Sequence, residues 1–390
     1  MKRVFIVAGK RTPIGALQGS LATVPAPQLG AVAIKGVIDN LKLDTKTIDQ
    51  VIMGNVLSAG VGQNPARQAS LAAGIDIGVP CFHVNKVCAS GMKAIALGAS
   101  EIKAGLAKTI MTGGFESMTN APHMVRGFRS GVRFGDSIMM DSIAVDGLID
   151  AYSKMPMGTC GEKTAMEMSI TREMQDEYAI ESYNRALKAI EKGLFSKNIV
   201  PVEIPKKGLV ALDDEPQRFN KERIGTIKPA FADKSGKGTI TAGNASKIND
   251  GAVALLLMNE EAVKSSKVTP IAEILSYADS EVQPVDFNIA PPIAAKKAIL
   301  LANLQIKDID YWEINEAFSV TAIASLKILG IPHQKCNING GAVALGHPIG
   351  ASGARIILSL IQSLSNKGEI GCAAICNGGG GASSMVIKKL

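Results

Sequence analysis

Six cysteines and four histidines are the scarce reactive side chains of this 390-residue chain, and two of the cysteines stand where covalent chemistry is feasible. Cys88 lies in Asn85-Lys86-Val87-Cys88-Ala89-Ser90-Gly91, a pattern that predicts a strand handing over to a helix N-terminus. The partial positive charge there favours the thiolate over a thiol of ordinary pKa about 8.5, and the thiolate is the nucleophile. A small buried cysteine fits the same position. His347, in Gly346-His347-Pro348-Ile349-Gly350, is placed to take the proton, because glycines on both sides allow a close backbone approach. His83 and His333 read as packing or surface residues, and His123 fits either use. Cys376 precedes Asn377-Gly378-Gly379-Gly380-Gly381, whose bare backbone exposes N–H donors; one such donor on an oxyanion is typically worth about 2.7–4 kcal/mol. A flexible turn or a phosphate loop is the alternative, although no GxxxxGK[ST] pattern is present. Cys372 and Cys376 lack a second Cys/His pair at zinc-ligand spacing. Asn315, in Asn315-Glu316-Ala317-Phe318, could orient a water, donate to a thioester oxygen, or cap a helix.

Segments so far apart must be brought together by the fold, and a weak internal repeat shows how. A helix from Ala26-Pro27 leads through Leu41-Lys42-Leu43 to the strand Val51-Ile52-Met53-Gly54-Asn55; Ala290-Pro291 leads through Leu304-Gln305-Ile306 to Trp312-Glu313-Ile314-Asn315. Ala89-Ser90-Gly91 and Ala351-Ser352-Gly353 then each open an amphipathic helix, running to about Lys103 and Ser363. Thr109 to Gly114 matches Cys372 to Gly379, and the offset stays near about 260 residues. The repeat therefore sets the Cys88 turn against the His347 turn. Residues 1–116 are expected to form an N-terminal core half, completed by about 240–268, where the apolar run Asp250 to Met258 reads as a strand covered on both faces. Residues 117–239, rich in Gly, Met, Asp and Lys with a helix at about Thr171 to Lys192, read as an inserted loop domain, and 269–390 as the C-terminal core half. The fold class is α/β, with two similar halves that each carry a covered sheet.

The length exceeds what one core fills, so several packed units are expected. Although 46% of residues are hydrophobic, no apolar run reaches the roughly 20 residues of a membrane helix, so no membrane partner is expected. The formal charge is +7, yet Lys and Arg are scattered and aromatics are 4%, which argues against nucleic acid and leaves attraction of an anionic, nucleotide-bearing thioester. The chain runs directly into Val4-Phe5-Ile6-Val7-Ala8 without a leader pattern, and its cysteines form no CxxC pair; a cytoplasmic location is expected.

Together, Val87-Cys88-Ala89-Ser90-Gly91, Asn315-Glu316-Ala317-Phe318, Gly346-His347-Pro348 and Cys376-Asn377-Gly378-Gly379-Gly380 resemble the signature blocks of the thiolase family in order and spacing, over essentially the whole chain. The resemblance implies a five-layered αβαβα fold with an inserted loop domain and a homotetramer built as a dimer of dimers. It implies that Cys88 is acylated, that His347 activates it, and that Cys376 exchanges the proton at the substrate α-carbon. It also implies that Asn315 holds a water which, with His347, stabilises the thioester enolate, and that the N–H groups of Cys88 and Gly378 receive the oxyanion. Met157-Gly158, the stretch from Thr241 to Ser246 and Asn337-Ile338-Asn339-Gly340-Gly341 look like the branch that condenses two acetyl-CoA to acetoacetyl-CoA and coenzyme A (CoA). In that branch Arg218, Arg223 and Ser246, with Tyr183 and Met157, match coenzyme A contacts. The run Gly378 to Gly381 and Asp286-Phe287 are similar to a potassium-stimulated form, whose ion positions match Tyr183, Ala242, Ala245 and Val343. No cofactor is then required: coenzyme A is substrate and product, and potassium enters as an optional ion. Departures at Asn288, Pro156 and Lys163 bear on acyl preference and potassium dependence.

A degradative 3-ketoacyl-CoA thiolase of broader chain length is the near rival. A ketosynthase is expected to carry one cysteine and two histidines, and a non-catalytic acyl-CoA or lipid-binding relative would keep the fold without acylating Cys88.

Overall fold

The structure is a computed structural model that describes residues 2–390. Its first third runs β1 (Val4–Arg11), β2 (Gly15–Ala16), α1 (Ala26–Leu41), β3 (Gln50–Gly54), α2 (Pro65–Ala72), β4 (Cys81–Val84), α3 (Ser90–Ala104) and β5 (Thr109–Ser117). The excursion that follows carries the hairpin β6 (His123–Val125) and β7 (Met139–Asp141), then α4 (Met157–Glu167) and α5 (Arg172–Glu191). A second hairpin, β8 (Val202–Ile204) and β9 (Gly208–Val210), and the one-turn helices α6 (Asp214–Gln217) and α7 (Lys221–Ile224) end it. Thr171 caps α5 by accepting from the Met174 N–H. Next come β10 (Asn249–Asn259), α8 (Glu260–Ser266), β11 (Ala272–Glu281), α9 (Ala290–Leu301), β12 (Tyr311–Ile314), α10 (Ser319–Leu329) and α11 (Ala342–Leu345). α12 (Ile349–Ser363), β13 (Ile370–Asn377) and β14 (Gly381–Lys389) complete the chain.

The N-terminal strands order as β4-β3-β5-β10-β1 and the C-terminal ones as β12-β13-β14-β11, the same sequence of pairings twice. β3 runs parallel to β4 and β5, and β12 parallel to β13, while the later strands add antiparallel. Side-chain alternation explains the burial. In β10, Val253, Leu255 and Leu257 face one interior and Ala252, Ala254, Leu256 and Met258 the opposite one, as strands covered on both sides must. The first interior also takes α3, α12 and inward residues of the second half such as Ile375, Met385 and Ile387. α1 and α2 cover the outside of the N-terminal strands, and α9 with the end of α10 the outside of the C-terminal strands.

The five-layered fold of two similar halves is borne out, and two features add to it. β1 and β11 join the strands of the two halves edge to edge through two residue pairs, Phe5 with Glu273 and Ile6 with Ala272, so one continuous sheet wraps α3 and α12. The second half also lacks a full equivalent of β4: only Cys336 bridges Trp312. The reason lies in Asn337, whose side-chain amide does the work of a strand backbone, accepting from the Ile314 N–H at 2.9 Å and donating to the Ile314 carbonyl at 2.8 Å.

α3 and α12 meet through glycine. A methyl group at Gly91 would lie 2.8 Å from the Ala354 nitrogen, and one at Gly353 only 2.5 Å from the Met92 nitrogen. These are the repeat-equivalent glycines of the two Ala-Ser-Gly openings, and their backbone-to-backbone contact sets the Cys88 and His347 turns side by side. Gly353→Ala is expected to destabilise the chain by about 1–3 kcal/mol, the cost of overpacking a core site, read as a lowered urea midpoint; an unchanged midpoint would show that the helices have room to part.

Candidate active site

The turn that carries Cys88 is held rigidly before any chemistry starts. Val87, a β-branched residue, sits at φ 45°, a left-handed conformation that such residues avoid and that persists only where neighbours enforce it. They do so here: the Val87 N–H donates to Asn85 Oδ1 at 2.9 Å, while Ser90 Oγ accepts from the Lys86 N–H at 2.8 Å and donates to the Val87 carbonyl at 2.6 Å. Lys86 Nζ then reaches across to Asp279 Oδ1 at 3.0 Å and the Ala382 carbonyl at 3.2 Å, tying the turn to β11 and β14. Burial alone would raise the Asp279 carboxyl, but hydrogen bonds from Lys93, Ser383 and Lys86 outweigh it and hold the group at about 2. This inter-half clamp was not legible in the sequence.

Beyond β13 the glycine run forms the tight turn into β14. The Gly378 N–H and the N–H of Cys88 itself both hydrogen-bond the Cys88 sulfur. Cys376 stands close enough for a charge on the Cys88 sulfur to raise its own thiol. The Gly378 α-carbon also borders Val87 and Met157: a methyl there would lie 3.7 Å from Val87 Cγ1 and from Met157 Sδ. Met157, Cys160, Phe287, Ala317 and Cys376 share one apolar cluster.

The expected thiolate is corrected by this environment. Cys88 is buried, and burial pushes its thiol up to about 12 despite the two backbone N–H groups, with Glu116 adding to the rise. Helix α3 begins only at Ser90, beyond the cap residue Ala89, and its field does not offset the lost solvation. Burial likewise raises Cys376 well above the ordinary thiol range, so the resting site holds two neutral thiols.

His347 is also neutral: burial, aided by the Arg355 guanidinium, pulls it down to about 3. Its tautomer follows from its partners. Ser352 Oγ donates its single proton to the Pro348 carbonyl at 2.9 Å, so the 2.6 Å contact between Ser352 Oγ and His347 Nδ1 requires the proton on Nδ1. Nε2 then carries the lone pair and has no protein partner among the described residues. Ser352, read from the sequence only as a helix opener, is thus the residue that orients the His347 ring. The His347 N–H is held by Asn249 Oδ1 at 2.9 Å.

Glu116, also missed, joins the two halves at this point. Its buried carboxylate accepts from Asn55 Nδ2 and the N–H groups of Val56 and Leu57, and from the Gly350 N–H at 3.0 Å in the His347 turn. Burial raises it to about 7 in spite of these donors. Its signal in the sequence was one acid closing an otherwise apolar strand. Asn315 is fully buried just past β12 and caps no helix; Oδ1 meets Arg355 Nη2 at 3.5 Å, and Nδ2 has no protein partner among the described residues. Its neighbour Glu316 accepts from Tyr178, Ser182, Asn337 and the Val343 N–H. His333 stacks on Tyr178, with ring centroids 4.5 Å apart; His83 lies in β4 and His123 in the exposed β6, all outside this constellation.

A cavity of about 620 Å³ opens onto His347, lined by apolar residues such as Leu148, Ile149, Phe231 and Phe318. Met157, Ala242, Ala245, Ser246 and Arg218 stand in its wall. Arg223 is exposed and does not line it. Ser246 Oγ is engaged by the Ala317 carbonyl at 2.8 Å.

The expected potassium set does not fit a bound ion. Lys247 Nζ donates to the Ala245 carbonyl at 2.7 Å and the Val343 carbonyl at 3.2 Å, and it lies 5.5 Å from the Tyr183 ring centroid. Three of the four expected positions therefore surround an ammonium, and Ala242 lines the adjoining cavity. Burial lowers Lys247 to about 8 while Glu215 and Glu316 oppose the drop, which leaves it charged at neutral pH. A second cation about 4 Å away would meet roughly 4 kcal/mol of repulsion. Among the described residues, no group of three or more His, Cys, Asp or Glu is placed to hold a metal ion.

Residues 4–261 match the family described as Thiolase, N-terminal domain, and residues 268–389 the one described as Thiolase, C-terminal domain. The chain belongs to the thiolase family. It is 47% identical to the mitochondrial acetyl-CoA acetyltransferase of Bos taurus over 100% of this chain and 92% of that one. A cytosolic acetyl-CoA acetyltransferase of Gibberella zeae is 48% identical over 99% of this chain and 98% of its own length. Among solved structures, Acat5 thiolase from Ascaris suum in complex with coenzyme A superposes with a TM-score of 0.95 at 46% identity, covering 100% of both chains.

Two outcomes are expected of this thiolase site. With a thiol at about 12, alkylation of Cys88 by iodoacetamide should keep climbing by up to tenfold per pH unit through pH 9; a plateau between pH 6 and 8 would reveal a standing thiolate. Ser352→Ala should slow acylation of Cys88 by roughly 10- to 100-fold, the usual scale for losing a partner that orients a histidine, with an unchanged circular dichroism spectrum. Full acylation speed in that variant would show that the imidazole is oriented some other way.

Proposed function

We propose that the chain is an acetyl-CoA C-acetyltransferase that interconverts two acetyl-CoA with acetoacetyl-CoA and CoA through an acetyl group carried on Cys88. The observation that supports it most strongly is the meeting of two neutral thiols, Cys88 and Cys376, at a backbone N–H donor, Gly378, from the opposite half of the chain. A single-thiol hydrolase would have no use for the second sulfur.

In the cleavage direction the proton of Cys88 passes to His347 Nε2 as the sulfur attacks the 3-keto carbon. The oxyanion is received by the N–H groups of Cys88 and Gly378, where preorganised donors act without reorganisation cost. As the carbon–carbon bond breaks, Cys376 gives its proton to the α-carbon of the departing enolate, whose thioester oxygen is served by Asn315 and His347 through a water. Acetyl-CoA leaves; acetyl-Cys88, imidazolium and the Cys376 thiolate remain. Incoming CoA gives its proton to Cys376 and attacks the acetyl carbon, and Cys88 departs and recovers its proton from His347. Every proton is returned, and condensation is the same path reversed. The raised thiols suit this scheme, since Cys376 must rest as an acid to act first as a donor.

Coenzyme A is assigned to the apolar cavity, with Met157 and Ser246 in its wall and Arg218 at a position suited to phosphate, while Tyr183 stands behind that wall, against Lys247. Arg223 would join it only from outside that wall. A homotetramer in the cytoplasm completes the reading. Exposed Phe128, Phe134, Ile138 and Met139 around the β6–β7 hairpin supply apolar surface for subunit contacts. The relatives named above include both mitochondrial and cytosolic proteins, and among the described residues no helix is long and apolar enough to cross a membrane. The division into residues 1–116 with 240–268, 117–239 and 269–390 is proposed with it, supported by the return of β10 between β1 and β5 after the excursion.

Mass spectrometry after incubation with acetyl-CoA is expected to find one acetyl group on Cys88. Cys376→Ser should keep that adduct while condensation falls by about 10²- to 10⁴-fold, the range for losing a general acid or base. Absence of the adduct would reduce the chain to an acyl-CoA binder, and strong cleavage of long 3-ketoacyl-CoA with poor acetoacetyl-CoA turnover would favour the broader thiolase.

A further inference from the structure

We infer that the Lys247 ammonium is a built-in substitute for a monovalent cation, which holds the wall of the acyl-CoA cavity in place and frees this enzyme from potassium. Its surroundings are those of a cation site. Two backbone carbonyls, Ala245 at 2.7 Å and Val343 at 3.2 Å, point their oxygens at Nζ, and the Tyr183 ring lies within cation–π range at 5.5 Å. Glu215 and Glu316 supply balancing charge. The side chain extends along the cavity, yet its charged end turns inward to the carbonyls rather than out to a ligand.

What the clamp joins gives it a function. Ala245 bridges Phe318 in the cavity wall, and Ser246, next in the chain, is held on the Ala317 carbonyl. Val343 sits in α11, the turn of helix that leads into His347, and its N–H is fixed by Glu316. A single positive charge therefore ties the coenzyme A wall to the segment that presents the base. Without it, two inward-facing carbonyls would lose their donor, a cost that an ion or water must then meet.

The role rests on the acetyl-CoA reading only for its kinetic consequence, so the test has two arms, run on the full chain at constant ionic strength in potassium chloride or choline chloride. The wild-type protein is expected to show the same melting temperature and the same KM for acetyl-CoA in both salts. Lys247→Ala in choline chloride should melt roughly 4 °C lower and show a several-fold higher KM, and potassium should restore both. A potassium-specific shift in the wild type overturns the inference. So does a Lys247→Ala variant that loses nothing, or one whose loss potassium leaves unrestored. Should Lys247→Ala not fold, the wild-type comparison and Lys247→Thr, which places a hydroxyl oxygen in the gap, decide the matter. The melting arm involves no catalysis, so it still judges Lys247 if Cys88 proves never to be acylated.

Discussion

Backbone contact between α3 and α12 governs everything else in this molecule. Two helices sandwiched within one wrapped sheet must come close enough for the turns ahead of them to share a site, and side chains at the crossing would hold them apart. Gly91 and Gly353 remove that obstacle at equivalent positions of the repeat. The rest of the architecture fastens what the crossing brings near. Glu116 binds the His347 turn to the strand ends of the first half, and Lys86 binds the Cys88 turn to strands of the second. Each half thus carries the clamp that positions the other half's reactive residue, and neither half could assemble the site alone.

The same burial that makes the positions rigid decides the charges. Thiols are pushed up and the imidazole is pulled down, because a low-dielectric interior disfavours whichever form is ionised. A site poised as a thiolate–imidazolium pair would carry two buried charges while idle. In the proposed mechanism the neutral arrangement separates charge only when substrate arrives and an oxyanion forms against the N–H groups of Cys88 and Gly378. Glu116 shows what a buried charge costs here: it accepts four donors and is still raised to about 7.

Much of this was legible in the sequence because it is written in local pattern. Helix openings at Ala26 and Ala290, the strand runs and the four blocks around Cys88, Asn315, His347 and Cys376 depend on spacing and residue type, which a linear reading preserves. What escaped depends on distance across the fold. Ser352 is an ordinary serine in a helix start until Pro348 takes its proton and leaves it no choice but to accept from His347. Asn337 replaces a strand with one amide, which no periodicity could announce. The thiolate expected at Cys88 failed for a related reason. A helix terminus is visible in the sequence, whereas the depth at which the sulfur is buried is not.

Lys247 shows how far residue type alone can mislead about charge. A lysine beside Ser246 carries no signal of its own in the sequence, where Ser246 resembles a coenzyme A contact and the residues around it an ion site. Both resemblances are local, and neither takes account of the lysine between them. Geometry resolves them together, because a side chain that satisfies two carbonyls with its own charge can neither serve a distant phosphate nor leave room for an ion. Under the proposed coenzyme A assignment, the positive charge left to meet an anionic substrate at the cavity is then Arg218, while Lys247 is spent on internal order. An ion drawn from solution leaves when its concentration falls, but a tethered ammonium has an effective concentration that no change of medium dilutes. The replacement therefore exchanges responsiveness to the ionic environment for constancy of the site.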